Sequence, residues 1–350
     1  MAIKSMRLQP LDPDRHPGWD GLLLRGGDSC FFHSSAWARV LRSTYGFKPL
    51  YFAAIEADRL AFLMPFMEID SPLTGRRGVS LPFTDRCPPH AAGGRDDLRE
   101  AVTLVMAHGG RAKWRYAEWR DEASFREGIP AWASFYFHEI DLRRAEADLF
   151  SALGDSNRRN IRKARGSGVT VRFERSAEAM SEFYRLNVLT RKRHGLPPQP
   201  LSFFRNVFEQ IILKDMGIVA TAVHGRRAVA ASVYFFFGER CLYKYGASDL
   251  RHQGVRPNNL LMWEALLWLK NKGFPVMDLG RTEPGDTGLL RFKRAWGAKE
   301  SMIRYYRYDF RENAYLAGDK SSSLLIPRLF RHTPRPVLRL IGRLFYRHAG

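Results

Sequence analysis

Residues 242–298 hold the side chains of this chain best suited to chemistry, beginning with the run Tyr243-Lys244-Tyr245-Gly246-Ala247. In an extended strand Tyr243 and Tyr245 alternate onto one face, where two phenols can line an acyl channel and donate hydrogen bonds, or pack in a core. The strand feeds Arg251-His252-Gln253-Gly254-Val255-Arg256-Pro257-Asn258, a polar loop that opens a helix. The first amides of a helix lack intrahelical partners and sit at the positive end of its dipole, so they can receive phosphate oxygens. Arg251 and Arg256 add charge there, and Gly254, Asn258 and Asn259 complete the candidate phosphate-binding set. The plainer reading is a helix whose start is set by Pro257 and Asn258. Arg281, after Gly280 at a predicted strand end, is a clamp for phosphate or carboxylate, or a partner for Asp278 or Glu283.

The elements that position these residues follow from periodicity and punctuation. A helix over 36–45 precedes a β-rich run, 49–69, broken at Ala57-Asp58 like a hairpin; a glycine-bearing segment, a helix near 96–108 and strands near 113–119 and 134–142 follow. Next comes a basic helical connector, 148–165, carrying Arg158, Arg159, Arg162, Lys163 and Arg165. A strand at 169–173, helices at 177–192 and 202–214, and strands at 217–224, 228–238 and 240–248 repeat the helix-then-meander order. A helix over 258–272, a strand at 276–279, a short helix at 289–296 and a strand at 303–309 complete the series. The expected fold class is therefore α/β (α+β), with a first domain over 1–145, a second over 146–315 and a tail over 316–350. In that tail Arg331, Arg335, Arg339, Arg343 and Arg347 recur every fourth residue beside Val337, Leu338, Ile341, Leu344 and Phe345, after the serine run 321–323. This is a basic amphipathic helix, to be docked on the domains or laid on anionic lipid.

A length of 350 residues accommodates two ordinary cores, and 56 Lys plus Arg against 36 acidic residues leave a net charge of +20. The partner is anionic: nucleic acid, a pyrophosphate-bearing small molecule or a membrane surface. Cys30, Cys87 and Cys241 have no paired spacing, so neither a disulfide framework nor a zinc site is expected. The first residues lack the apolar core of a signal peptide, and the longest uncharged apolar stretch, 228–237, is about half the ~20 residues of a membrane span. A cytoplasmic protein, peripheral at most to the membrane, is the expectation.

The segment Gly280-Arg281-Thr282, Gly288 and Arg291-Phe292-Lys293-Arg294-Ala295-Trp296-Gly297 closely resembles the signature of Fem-type acyltransferases. Loop 251–256 is similar to the coenzyme A loop of the GNAT superfamily, with Arg256 where a small residue is usual. The basic run 157–168, the segment 191–200 with Arg191, and Ser80-Leu81-Pro82-Phe83 support the likeness. The resemblance implies tandem GNAT-like domains, each a mixed, mostly antiparallel sheet flanked by helices. It implies transfer of an acyl or aminoacyl group to an amine on a peptidoglycan, other cell-envelope or exopolysaccharide precursor, from acyl-CoA (acetyl-CoA) or aminoacyl-tRNA, without a metal. It places Lys293, the lysine of the Phe-Lys motif, at the reacting centre, stabilising an oxyanion or holding a phosphate. Arg191 and Tyr243 join Arg281 as substrate-binding candidates. An attacking amine needs a proton acceptor. Asp85, in the loop after Phe83, is one candidate, equally a local cap, and His194 is another, or a solvated helix end. The competing class is a non-catalytic binding protein on the same scaffold.

Overall fold

The computed structural model describes residues 8–27, 29–91, 95–121, 128–318 and 330–349; the expected serine run 321–323 lies outside them. The chain divides into two compact units, each discontinuous in sequence. Unit 1 is Met1–Phe135, Met302–Lys320 and Tyr346–Gly350, and unit 2 is Tyr136–Ser301 and Ser321–Phe345.

Unit 1 begins with β1 (Gln9–Leu11), α1 (Trp19–Gly26) and α2 (Ser35–Tyr45). The Ser34 hydroxyl caps α2 by accepting the Trp37 amide, Trp37 and Leu41 are fully buried, and Gly46 ends the helix at φ 75°. The hairpin of β2 (Lys48–Glu56) and β3 (Arg59–Ile69) turns at Ala57 and Asp58, both left-handed at φ 46° and 57°, the twist a two-residue hairpin loop requires. Then come β4 (Arg77–Val79), β5 (His90–Ala91), α3 (Arg95–Arg111) and β6 (Tyr116–Asp121).

The chain enters unit 2 through β7 (Ala133–Asp141), α4 (Glu146–Ser151), α5 (Asp155–Gly166), β8 (Val169–Glu174), α6 (Ala177–Arg193) and α7 (Leu201–Val207). β9 (Gly217–His224), β10 (Arg227–Phe237), β11 (Arg240–Ser248), α8 (Pro257–Asn271), β12 (Val276–Thr282) and α9 (Thr287–Arg294) follow. It returns to unit 1 with β13 (Lys299–Asp309) and β14 (Ala314–Tyr315), and α10 (Arg335–Phe345) belongs to unit 2.

The strand order of unit 1 is β1-β2-β3-β4-β6-β13, antiparallel throughout except the parallel pair β4/β6. α3 covers one face over Phe52, Phe62, Phe66 and Trp119. Unit 2 repeats the plan as β8-β9-β10-β11-β12-β7, with β11/β12 as its parallel pair. α5 and α8 pack one face over Leu260, Trp263, Leu266 and Trp296, and α6 lies on β9, β10 and β11. The apolar stretch in β10 is a central strand buried on both faces, and among the described residues no helix is long and apolar enough to cross a membrane. The two units are interleaved along the chain. The last strand of each sheet is chosen by its edge partner rather than by chain order, so β13 pairs with β6 and β7 with β12.

Candidate functional site

β11 and β12 pair only from Arg240↔Val276 to Leu242↔Asp278, although β11 runs on to Ser248 and β12 to Thr282. Bulges on both strands drive them apart. Lys244 is the extra residue where β11 meets β10, since Val233 faces Tyr245 and Tyr234 faces Tyr243. The β12/β7 register slips between Asp278 and Arg281, at Gly280 with φ 70°. Against β11, along the stretch past its pairing with β12, lies a cavity of about 210 Å³, lined by Thr190, His194, Ser232, Tyr234, Tyr243 and Met262 among others.

Its walls carry hydroxyls alongside Arg193, His194 and Asn258. The Ser232 hydroxyl donates to Tyr234 Oη (3.2 Å), and Tyr234 Oη to Met262 Sδ (3.8 Å). Burial pushes the Tyr243 phenol up to about 12, so it carries its proton at neutral pH. A Cβ at Gly246 would stand 1.7 Å from Tyr243 Oη, so only glycine lets that phenol occupy the cavity. Tyr245, expected on the same face, is not. Lys244 bulges out and shifts the alternation, leaving Tyr243 against Tyr234 beneath α8 and Tyr245 enclosed by Phe183, Phe203, Phe204 and Phe235. At the rim, Arg193 donates to His194 Nε2 (3.3 Å). Partial burial, then Arg193, Arg191 and Arg331, hold that imidazole below its ordinary range, so it is neutral at pH 7. His194 was the weaker sequence candidate because its spacing said nothing of the cavity beside it.

Lys293 is 4% exposed, and its ammonium donates to Gly280 O (2.7 Å) and Arg281 O (3.0 Å). It therefore ties α9 to the bulged end of β12. Arg281 flanks that bulge. Beside it lie residues the sequence did not single out. His138 is fully buried with Nε2 against Glu300 (3.0 Å), and Glu300 accepts both arms of Arg294 (2.9 and 2.8 Å).

The candidate phosphate loop is split by the fold. Arg251 turns back on Asp249 (2.6 Å), which holds that carboxyl at about 2, and lines a separate open depression of about 690 Å³ with Arg185, Glu182 and Arg227. That depression is larger than the cavity beside β11 and is lined by charges of both signs, with Arg185 paired to Glu182 at 2.8 Å and Arg251 to Asp249 at 2.6 Å. Gly254 is exposed with open space around it, and Arg256 adopts φ 55° at the head of α8. Asn258 reaches the cavity lining, whereas Asn259 donates to Asn157 Oδ1 (3.0 Å) and Asn157 to Ala295 O (2.9 Å), locking α5, α8 and α9 together. Arg191 braces the next turn through Pro197 O (3.2 Å).

Asp85 belongs to unit 1, where its backbone carbonyl accepts Tyr305 Oη (2.6 Å). Near it the fold gathers what spacing kept apart. Ligand atoms of Cys30, His33 and Cys87 lie within 4.8 Å of one another. The His33 ring is committed to backbone, Nδ1 accepting the Cys30 amide (3.2 Å) and Nε2 meeting Pro88 O (2.9 Å), so the trio is a packed corner and not evidence of a metal.

Residues 155–294 match the family model of the acetyltransferase (GNAT) domain. The chain resembles the crystal structure of FemX with a TM-score of 0.66 at 13% identity, covering 85% of this chain and 97% of that one. It resembles the structure of L-PGS from Bacillus licheniformis (TM-score 0.54, 14% identity, 95% and 98% covered). It also resembles a tandem GNAT protein from the clavulanic acid biosynthesis pathway (TM-score 0.53, 11% identity, 87% and 98% covered). No curated protein sequence matches. The GNAT family model thus covers residues 155–294 of a chain whose fold is Fem-like and resembles tandem GNAT proteins.

Proposed function

From a GNAT domain on a Fem-like fold, we propose that the chain is a cytoplasmic N-acyltransferase. It moves an acetyl-type acyl or an aminoacyl group from a thioester or ester donor to an amine on a cell-envelope or exopolysaccharide precursor. The observation that carries this reading is a cavity against the stretch of β11 past its pairing with β12, whose phenol, Tyr243, is protonated and whose rim imidazole, His194, is neutral. The donor's acyl arm enters between the strands, its phosphates meeting the head of α8 beside Arg256. His194 takes the proton of the attacking amine, the C–N bond forms, and the tetrahedral oxyanion collapses with loss of the thiolate or alkoxide, which receives a proton from Tyr243. No covalent enzyme intermediate is required. Lys293 holds the β12 bulge, and with it the width of the opening. His194→Gln tests the assignment of the base.

One observation favours aminoacyl-tRNA as donor: α5 exposes Arg159, Arg162 and Lys163 on one helix, a sequence-independent phosphate-backbone surface. Calorimetric titration with acetyl-coenzyme A, and in parallel with uncharged and aminoacylated tRNA, tests both. Coenzyme binding weakened by Arg256→Ala and Lys293→Ala supports a coenzyme-dependent enzyme. Selective binding of aminoacylated tRNA moves it to the tRNA-dependent branch, and binding of neither, with no transfer to amines, leaves a non-catalytic scaffold.

A further inference from the structure

We propose that α10 seats the chain on the surface of an anionic lipid bilayer. A helix docked on its own protein turns its apolar side inward and its polar side to water. α10 turns most of its apolar side outward together with its arginines. Only Leu338 and Gly342 are buried, the latter so close to Pro198 that a Cβ would stand 1.9 Å from its carbonyl oxygen. Val337, Leu340, Leu344 and Phe345 are 45%, 53%, 53% and 54% exposed. At 100° per residue, Val337, Leu340 and Leu344 form one outward stripe. Arg335, Arg339 and Arg343 form the flank beside it, Arg339 lying over the Tyr184 ring at 5.5 Å.

The charge around this stripe selects the occupant. Between Lys320 and Gly350 there are seven Lys or Arg and no acid, and the last turn of α6, on which α10 rests, adds Arg191, Lys192 and Arg193. A second copy of the chain would set arginine against arginine, which disfavours self-association through this face. An interfacial helix needs an apolar stripe entering the headgroup boundary and a basic flank meeting lipid phosphates, and α10 presents both. α6 also carries Thr190, Arg193 and His194 of the cavity lining, so docking through α10 brings the helix at the cavity rim to the bilayer. The lipid-binding claim stands whether or not the cavity transfers acyl groups.

Vesicle sedimentation of the full chain tests it, with phosphatidylcholine alone and with phosphatidylcholine–phosphatidylglycerol mixtures. The chain is expected to sediment with the mixed vesicles only, and less as salt is raised. Arg335→Ala with Arg343→Ala should weaken partitioning about 30-fold, from the per-arginine contribution near a charged surface. Leu340→Asp with Leu344→Asp should abolish it without changing the melting temperature, since both side chains are exposed. Equal partitioning to neutral and anionic vesicles, or none to either, overturns the proposal. So does a lipid-free dimer in light scattering that the aspartate pair dissolves, because the stripe is then an interface between copies.

Discussion

Both units reach a parallel strand pair by the same antiparallel meander, yet β4/β6 is plugged where β11/β12 stands open. Past Val79 the unit 1 chain turns back into its own gap. Ser80 N donates to Glu118 O (2.7 Å), the Arg120 guanidinium to Leu81 O (3.1 Å) and Thr84 O (3.4 Å), and Cys87 N to Arg120 O (2.8 Å). Leu81 and Phe83 accept left-handed backbone, φ 55° and 59°, to make that plug. In unit 2 the strands part over hydroxyls and a cavity instead. Unpaired strand edges inside a protein need partners. Unit 1 satisfies them internally and gives up the space, whereas unit 2 leaves the space available to a ligand.

The comparison breaks most readily at the plug. Arg120 is nearly buried between Glu118 (2.9 Å) and the Tyr305 ring (5.3 Å), and Arg307 reaches the same carboxylate. Burial opposes ionisation of Glu118, but Arg120 and Arg307 outweigh it and hold the carboxyl below its ordinary range. Arg120→Ala is expected to cost about 3–5 kcal/mol of unfolding free energy, because it strands one side of a buried carboxylate and two carbonyls. Chemical denaturation measures it. The sign with pH follows from the depressed carboxyl. The stabilisation from Glu118 is complete above its unfolded pKa of about 4.5 and is lost as pH falls through the lower folded value, so wild type and variant should converge in acid. Equal loss in acid and at neutral pH would mean that the triad does not fasten the plug.

At the open pair the next largest effect falls on turnover. His194→Gln should lower kcat/KM for transfer from the donor found by calorimetry by about 100-fold, the lower end for a positioned general base. It should also remove the acid limb of the pH profile, which in the wild type lies below the ordinary histidine range because burial and Arg193 hold the imidazole's pKa down. A variant that loses activity but keeps the limb points to another base.

Gly246→Ala sharpens the contrast with a smaller effect. The added methyl collides with Tyr243 Oη, so about 1–3 kcal/mol of stability should be lost, as for overpacking elsewhere, together with donor binding. Adding Tyr243→Ala removes the obstacle and should restore stability without restoring binding. If the single variant binds donor normally, the phenol does not occupy the acyl path.

Much of this architecture was legible. The Ser34 cap, the Ala57-Asp58 turn and the apolar run of β10 are local signals, and they place helix and meander in each unit. Long-range choices left no such trace. Nothing in 133–141 or 299–309 names the edge strand it pairs with, and no glycine or proline marks the Lys244 bulge that separates Tyr243 from Tyr245. Lys293 was legible as a signature residue, but its buried contact with Gly280 and Arg281 depends on a bulge formed by tertiary pairing. Cys30 and His33 are close in sequence, yet Cys87 joins them only through the plug loop.

The smallest expected effect concerns Arg251, and here the signal was in the sequence: Asp249 stands two residues earlier, the spacing that lets a side chain close on its neighbour. Their hydrogen bonds hold the Asp249 carboxyl at about 2. Arg251→Ala should let it return toward the ordinary aspartate value of about 3.9, read from the carboxyl chemical shift in an NMR titration. By linkage this costs some stability at neutral pH, and because Arg251 is exposed the loss should be well below what the carboxyl's shift alone implies. If Arg251 serves the donor's phosphates, donor binding must draw it from Asp249, so the donor-bound wild type should show the same upward movement of the carboxyl as the alanine variant. A carboxyl that stays near 2 with donor bound would confine phosphate recognition to Arg256 and the head of α8, and leave Arg251 as a fastening of the loop.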